Sequence, residues 1–175
     1  YKSEIIENYF GDGSKLGVNI DYIREDKRLG TAGALKLAED KLNDKPFFLM
    51  NGDILTEVNF KSFMSFHKNN EFDLTMATRK HEYQSPYGVV NIDGAQVSSL
   101  DEKPTYHHFI NAGIYCLTPE MIKYIPENKF FDITDVINLA LQDNKNVGSF
   151  PIREYWIDIG QKEDYYQANQ DYDQS

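Results

Sequence analysis

Two hydrophobic periods take turns along this chain, and that alternation narrows its fold more than any single residue does. "SEIIENYF" (3–10) has helical spacing, with Ser3 placed to cap it and "GDGSKLG" to stop it. "VNIDYI" (18–23) then alternates as a half-buried strand does. Ala34, Leu35, Leu37, Ala38 and Leu42 return to a helical stripe. "PFFLMN" (46–51) is nearly unbroken apolar sequence, the pattern of a strand covered on both faces. Phe60, Phe63, Met64 and His67 mark another helix, and "DLTMATR" (73–79) another strand.

The middle of the chain breaks this rhythm. "YGVVNID", Gly94 and "QVSSLDEKP" read as a hairpin, with Asp93-Gly94 as the turn signal. "FINAGIYCL" (109–117) is a buried strand, and Thr118-Pro119 opens a short helix with proline at its first position. "DITDVINLALQDN" (132–144) is the clearest amphipathic helix, capped at Asp132 or Thr134. "VGSFPI" and "YWIDI" are late strands, and "KEDYYQANQDY" closes as a helix. Strands alternating with helices indicate an α/β fold, and the interrupting hairpin makes its sheet mixed. With no repeat, low-complexity tract or linker, residues 1–175 read as one domain.

The formal net charge of −10 and the scattered lysines disfavour a nucleic-acid partner. Small anionic ligands remain open, because a cation or backbone N–H groups offset local negative charge. Cys116 is the only cysteine, so no internal disulfide or cysteine zinc cluster can form, and its apolar setting makes it a buried small hydrophobe. His67, His107 and His108 have neither triad nor metal spacing and read as surface or helix-packing residues. No apolar run approaches the roughly 20 residues of a membrane span, so no membrane partner is expected and the expected compartment is the cytoplasm. The opening "YKSEIIENYF" reads as the interior of a domain, and an N-terminal part is expected upstream of it.

Six short stretches could carry chemistry. In "LGTAGAL" (29–35) the strand is expected to end near Ile23 and the helix to start near Ala32, which puts the glycines at the top of a sheet. Two readings stand: Gly30 lets backbone approach a flat ligand while Thr31 caps the helix and offers a hydroxyl, or the segment is a capped helix with two packing glycines. Its spacing is neither G-x-G-x-x-G nor a P-loop. In "FFLMNGDIL" an apolar strand runs into Asn51-Gly52-Asp53, setting a carboxylate beyond the strand end where it suits a hard cation such as Mg²⁺ or serves as a turn residue. "YWIDIG" repeats that logic with Asp158. If both strands belong to one sheet, Asp53 and Asp158 can face a single Mg²⁺, and two carboxylates without histidine or cysteine disfavour zinc. "LDEKP" (100–104) sets Glu102 beside Lys103, either a grip on a sugar hydroxyl and a phosphate or a surface charge pair. "INAG" (110–113) puts Asn111 on an apolar strand, where it needs a backbone or ligand partner, and Gly88 in "SPYGVV" offers another close backbone approach.

In this order and at these intervals, "LGTAGAL", "NGDIL", "YGVV", "EKP", "NAGIY" and "WIDIG" resemble the sugar-1-phosphate nucleotidyltransferases, from about residue 1 to about residue 170. The resemblance looks closest to the mannose-1-phosphate guanylyltransferase-like branch. Within it the chain is similar to the legionaminic-acid pathway enzyme that makes GDP-glucosamine, whose catalytic domain often follows a pair of CBS domains. It implies a Rossmann-like mixed sheet flanked by helices. It implies transfer of a nucleotidyl group from a nucleoside triphosphate, GTP by this likeness, to a sugar 1-phosphate with release of pyrophosphate. Leu29, Gly30 and Thr31 match the segment against the base, and Asp53 and Asp158 the Mg²⁺ carboxylates. Gly88, Glu102 and Asn111 match sugar contacts, and Lys103 the amine on the sugar phosphate. Asp53, Lys103 and Asp158 are thereby the implied catalytic residues.

The family's G-x-G-T-R-x-x-P loop and the K-P pair after it do not occur in these 175 residues. The expectation is therefore a domain lacking its first β-α unit, with little turnover on its own and a sheet position open to homodimer formation. The alternative is a non-catalytic homologue that binds a sugar nucleotide and regulates, against which the retention of Asp53, Lys103 and Asp158 argues. A dinucleotide-dependent oxidoreductase fails for want of the fingerprint.

Overall fold

The computed structural model describes residues 2–173. In chain order its elements are α1 (Ser3–Phe10), α2 (Gly30–Leu37), β1 (Phe47–Met50), β2 (Ile54–Thr56), α3 (Phe60–Asn69), β3 (Leu74–Gln84), β4 (Val89–Asp93), β5 (Gln96–Asp101), β6 (Thr105–Leu117), α4 (Ile133–Gln142), β7 (Val147–Pro151), β8 (Trp156–Asp158) and α5 (Lys162–Asp173), with short 3₁₀ turns between some of them. They divide into two units, one from Tyr1–Lys45 with Thr118–Lys145 and one from Pro46–Leu117 with Asn146–Ser175. No helix among the described residues is long and apolar enough to cross a membrane.

All the strands lie in the second unit. Its main sheet has the order β1-β6-β3-β7; β6 runs antiparallel to both β1 and β3, while β7 joins β3 in parallel, so the sheet is mixed. The β4–β5 hairpin turns tightly between paired Asp93 and Gln96, with Gly94 at φ +59°, as its Asp-Gly signal predicts. A separate ladder joins β2 to β8. Helix α3 covers one sheet face because its apolar residues recur at helical spacing, and Asn59 caps it by accepting from Ser62 N at 2.9 Å. Phe63 is fully buried, stacked on Phe150 at 4.5 Å between centroids and tilted against Phe48 at 5.3 Å. Val58, Ala77, Ala112, Ile114, Cys116 and Ile152 complete that core. Burial pushes the Cys116 thiol up to about 12, an inert hydrophobe as its sequence setting predicts.

In the first unit, Ile133, Val136, Ile137 and Ala140 form the buried stripe of α4, against which α2 packs through its own buried face of Ala32, Gly33 and Leu35. Asp132 is the residue that precedes α4, and its backbone N–H donates to the Asp135 carboxylate at 3.0 Å. Thr118 precedes a 3₁₀ turn, Pro119–Tyr124, with proline at its start as expected.

Several local expectations need correction. Residues 18–23 are not a strand: the Val18 and Ile20 N–H groups bond to Gly13 and Asp12 carbonyls in a local turn, which leaves no ladder to join. The alternating side chains there clasp α1 instead, Tyr22 Oη donating to Gly11 O at 2.7 Å and Arg24 making a bidentate pair with Glu7. The glycines of "LGTAGAL" consequently do not follow a strand. Ser3 is the first helical residue of α1, not its cap; Lys2 holds that position without a side-chain bond. β1 lies at the sheet edge and is only partly buried, because one of its sides has no neighbouring strand. β3 runs on to Gln84, extended by pairing with β6.

His67 lies in the core, 1% exposed, with Nδ1 2.8 Å from Thr75 Oγ1 and Nε2 without a partner. Burial holds its pKa below the ordinary value, assisted by nearby Lys68 and opposed by Asp73. The unfolded chain therefore takes up this proton more readily than the folded one. Stability is complete above the unfolded value of about 6.5 and falls as pH drops through it. Chemical denaturation at neutral and mildly acidic pH should show a steeper loss for wild type than for His67→Gln; equal slopes would contradict the assignment.

Candidate functional site

Beyond Met50 the chain crosses Asn51-Gly52-Asp53 and enters β2, whose partner is β8. The register sets Ile54 opposite Asp158, Leu55 opposite Ile157 and Thr56 opposite Trp156, and the Ile159 N–H donates to the Asp53 carbonyl at 2.8 Å. Two motifs a hundred residues apart thus become neighbours at one end of a short ladder. Both aspartates are exposed. Asp158 is held above the usual carboxylate range by partial burial and by the negative charge of Asp53 and Asp164. Hard oxygen donors that repel one another, with no cation paired to either among the described residues, fit a divalent cation of the Mg²⁺ type, which takes one or two carboxylates and fills its other positions with water or phosphate oxygen.

Asn111 and Asp158 line one pocket, together with Asn51, Ile54, Tyr115 and Trp156. Its amide is oriented at both ends, Nδ2 donating to the Tyr115 hydroxyl at 2.7 Å and Oδ1 accepting from Gly113 N at 2.9 Å. One N–H and one lone pair are left over for a ligand. Trp156 Nε1 donates to the Ala112 carbonyl at 2.9 Å, which ties β8 to β6, and the Arg79 guanidinium lies 5.8 Å above the indole. Gly113 has φ +69°, and a Cβ there would stand 2.5 Å from Ile54 Cδ1 and 2.9 Å from Asn51 Nδ2. Gly113→Ala should therefore cost about 2–3 kcal/mol in urea unfolding from combined backbone strain and overlap. An unchanged midpoint would show that the pocket wall is not close-packed.

The hairpin holds a second group. A Cβ on Gly88 would lie 3.0 Å from Glu102 Oε2, so these two face one another across the ladder end where Val89 pairs with Asp101. Lys103 follows with φ +46°, and its carbonyl accepts from Gln84 Nε2 at 3.3 Å. Gly88, Glu102 and Lys103 are all exposed. Along β6 the six steps from Thr105 to Asn111 span about 20 Å, so the fold groups Glu102 and Lys103 with Gly88 and not directly with Asp53, Asp158 and Asn111.

Leu29, Gly30 and Thr31 lie in the first unit. Leu29 is buried and precedes α2, whose first residue is Gly30 at φ +79°. An open cleft borders these residues together with Arg28 and the exposed Phe130. Thr31 does not cap its own helix: its hydroxyl accepts from Ile133 N at 2.9 Å and so serves α4. Sequence reasoning missed the part played by Tyr115 and Trp156, whose signal was polar-tipped aromatics beside motif residues, and it read Asp132 only as a helix cap.

The family profile described as "Nucleotidyl transferase" matches residues 1–175. A mannose-1-phosphate guanyltransferase of Neurospora crassa is 38% identical over 173 residues, covering 94% of this chain and 47% of that protein. The Saccharomyces cerevisiae protein of the same name is also 38% identical, over 94% of this chain and 48% of its own length. The chain thus spans about half the length of the curated relatives it matches. The crystal structure of HddC from Yersinia pseudotuberculosis superposes with a TM-score of 0.72 at 28% identity, over 98% of this chain and 75% of that one. A further structure of HddC is complexed with GMP-PN. A putative glucose-1-phosphate thymidylyltransferase from Bacillus anthracis, 24% identical with a TM-score of 0.73 over 95% of this chain and 70% of its own, shares the fold.

Proposed function

The chain belongs to the nucleotidyl transferase family, and from that premise we propose that it carries the catalytic domain for transfer of a nucleotidyl group to a sugar 1-phosphate, with GTP as the donor. One observation supports this reading above the others. The β2–β8 register brings Asp53 near Asp158, and Asp158 lines a pocket together with Asn111.

In the proposed reaction a phosphate oxygen of the sugar 1-phosphate attacks the α-phosphorus in line. The bond from that phosphorus to the bridging oxygen breaks, and pyrophosphate leaves with the electron pair. Mg²⁺ held by Asp53 and Asp158 would supply charge neutralisation on the phosphate oxygens. The chain's residues do the positioning. Asn111, its amide fixed by Tyr115 and Gly113, offers one donor and one acceptor to a sugar hydroxyl. Glu102 and Lys103, which β6 sets apart from Asn111, would reach the sugar hydroxyls and the sugar phosphate from the hairpin side, beside the open backbone of Gly88. Leu29, Gly30 and Thr31 form the wall against the base. Neither a covalent intermediate nor a protein nucleophile is required.

Guanine as the base is supported by the names of the guanyltransferase relatives and by the GMP-PN complex of HddC. The test is a panel: the protein at its natural full length, each nucleoside triphosphate paired with several hexose 1-phosphates, scored by pyrophosphate release and product mass. The reading expects one nucleotide, GTP, to dominate with a hexose 1-phosphate acceptor. Absence of any nucleoside-diphosphate sugar across the panel would overturn it.

A further inference from the structure

The N–H groups at the start of a helix are the natural place for an anion, since they lack partners within the helix and sit at its positive end. In α2 that place is already filled from within the chain. Thr31 N donates to Asp132 Oδ1 at 2.9 Å, while Ala32 N and Gly33 N donate to the Phe131 carbonyl at 3.0 and 3.1 Å. The Thr31 hydroxyl donates to Asp132 Oδ1 at 3.2 Å and accepts from Ile133 N at 2.9 Å. Phe131 N returns a bond to the Leu29 carbonyl at 2.8 Å. One carboxylate therefore stands at the N-termini of both α2 and α4. Gly30 is explained by this approach, whereas a Cβ on Gly33 would first meet Leu29 Cβ at 2.6 Å. A Cβ on Gly30 would meet Phe131 O at 2.6 Å and Asp132 Oδ1 at 2.7 Å, and one on Gly33 would meet Lys129 O at 3.1 Å.

We propose that Asp132 is a positioning residue for the nucleotide: it locks Gly30 and Thr31 in place as a rigid wall and takes the anion position itself, so that the segment presents a flat surface to a base and not donors to a phosphate. This rests on the reading of Leu29, Gly30 and Thr31 as the segment against the base. It also sets a division of labour in the first unit. Asp135 accepts from Asp132 N at the start of α4, whereas the Asp132 side chain serves the ligand wall.

The test combines nucleotide titration with amide hydrogen exchange on this chain, using guanosine 5′-monophosphate as the probe. Asp132→Ala should weaken binding about tenfold or more, the effect of losing a charge-assisted bond, and should speed exchange at Thr31 by a similar factor. Asp132→Asn, which keeps an acceptor, should recover most of both. Asp135→Ala should lower the melting temperature and leave nucleotide affinity within about twofold, because it uncaps α4 without touching Thr31. Unchanged affinity and exchange in Asp132→Ala would overturn the proposal. Equal loss of affinity in Asp135→Ala would also overturn it, since the effect would then be one of stability. If wild type binds no guanosine monophosphate, the base-wall reading fails, and exchange at Thr31, Ala32 and Gly33 alone decides whether Asp132 fixes the segment.

Discussion

Asp53→Ala should abolish Mg²⁺-dependent nucleotidyl transfer while leaving the fold intact. The side chain is exposed and lies outside the hydrophobic core, so its removal opens no cavity. What is lost is one of two carboxylates that the β2–β8 ladder brings near enough to repel one another. In a reaction carried by positioning and charge neutralisation, removing such a group costs on the order of 10²–10³-fold or more in turnover. The same removal relieves the repulsion that raises Asp158, so the metal-free variant should be no less stable than wild type. Steady-state pyrophosphate release at saturating Mg²⁺, beside a thermal melt, checks both halves. Near-wild-type turnover in Asp53→Ala would overturn the metal assignment. A second consequence follows from the raised pKa of Asp158. Protons compete with the cation for Asp158 at a higher pH than for an ordinary aspartate, so Mg²⁺ affinity should begin to fall at a correspondingly higher pH.

The largest effect on stability is expected at Phe63→Ala. The ring is fully buried between Phe150 and Phe48 under the centre of α3, with Val58, Ala77, Ala112, Ile114 and Ile152 in the same cluster. Truncation loses the transfer free energy of the ring and leaves a hole that rigid strands on one side cannot close, a cost of about 3–5 kcal/mol. Against a typical domain stability of about 5–15 kcal/mol, that brings the protein close to unfolding at ambient temperature. Urea denaturation followed by far-ultraviolet circular dichroism reads it. A loss under about 1 kcal/mol would mean that α3 is not seated on the sheet as described. Trp156 and Ala112 both touch this cluster and also line the pocket, so partial unfolding here should disturb ligand binding before secondary structure.

The fold class was legible from period alone, and relatives of known structure share the α/β architecture with its mixed sheet. The hairpin, α4 with its Asp132 cap and the late strands β7 and β8 all follow from turn signals and apolar spacing. Residues 18–23 did not follow, because alternation describes faces and says nothing of whether a neighbouring strand exists. There, local turns take the Val18 and Ile20 N–H groups a ladder would use, while the Tyr22 and Arg24 side chains hold the segment to Gly11 and Glu7. The pairing of Asp53 with Asp158 could be posed in the sequence but not decided, since it depends on which strands meet and in what register. Asn111 had to find partners, yet only the backbone turn at Gly113 shows that Tyr115 is one of them. The glycines of "LGTAGAL" are the plainest lesson. Their spacing suggested a ligand loop, yet the first physical cause is the close approach of Phe131 and Asp132 at Gly30 and of the Leu29 side chain at Gly33.

In the proposed site, Asp53 and Asp158 hold one divalent cation beside the pocket that Asp158 and Asn111 line. Nuclear magnetic resonance of the isotopically labelled chain, with Mn²⁺ as a paramagnetic stand-in for Mg²⁺, tests it most directly. Line broadening should centre on Gly52, Asp53, Asp158 and Ile159, reach the Asn111 side-chain amide, and disappear in Asp53→Ala. Broadening centred on other acidic residues, or unchanged in that variant, would contradict the account.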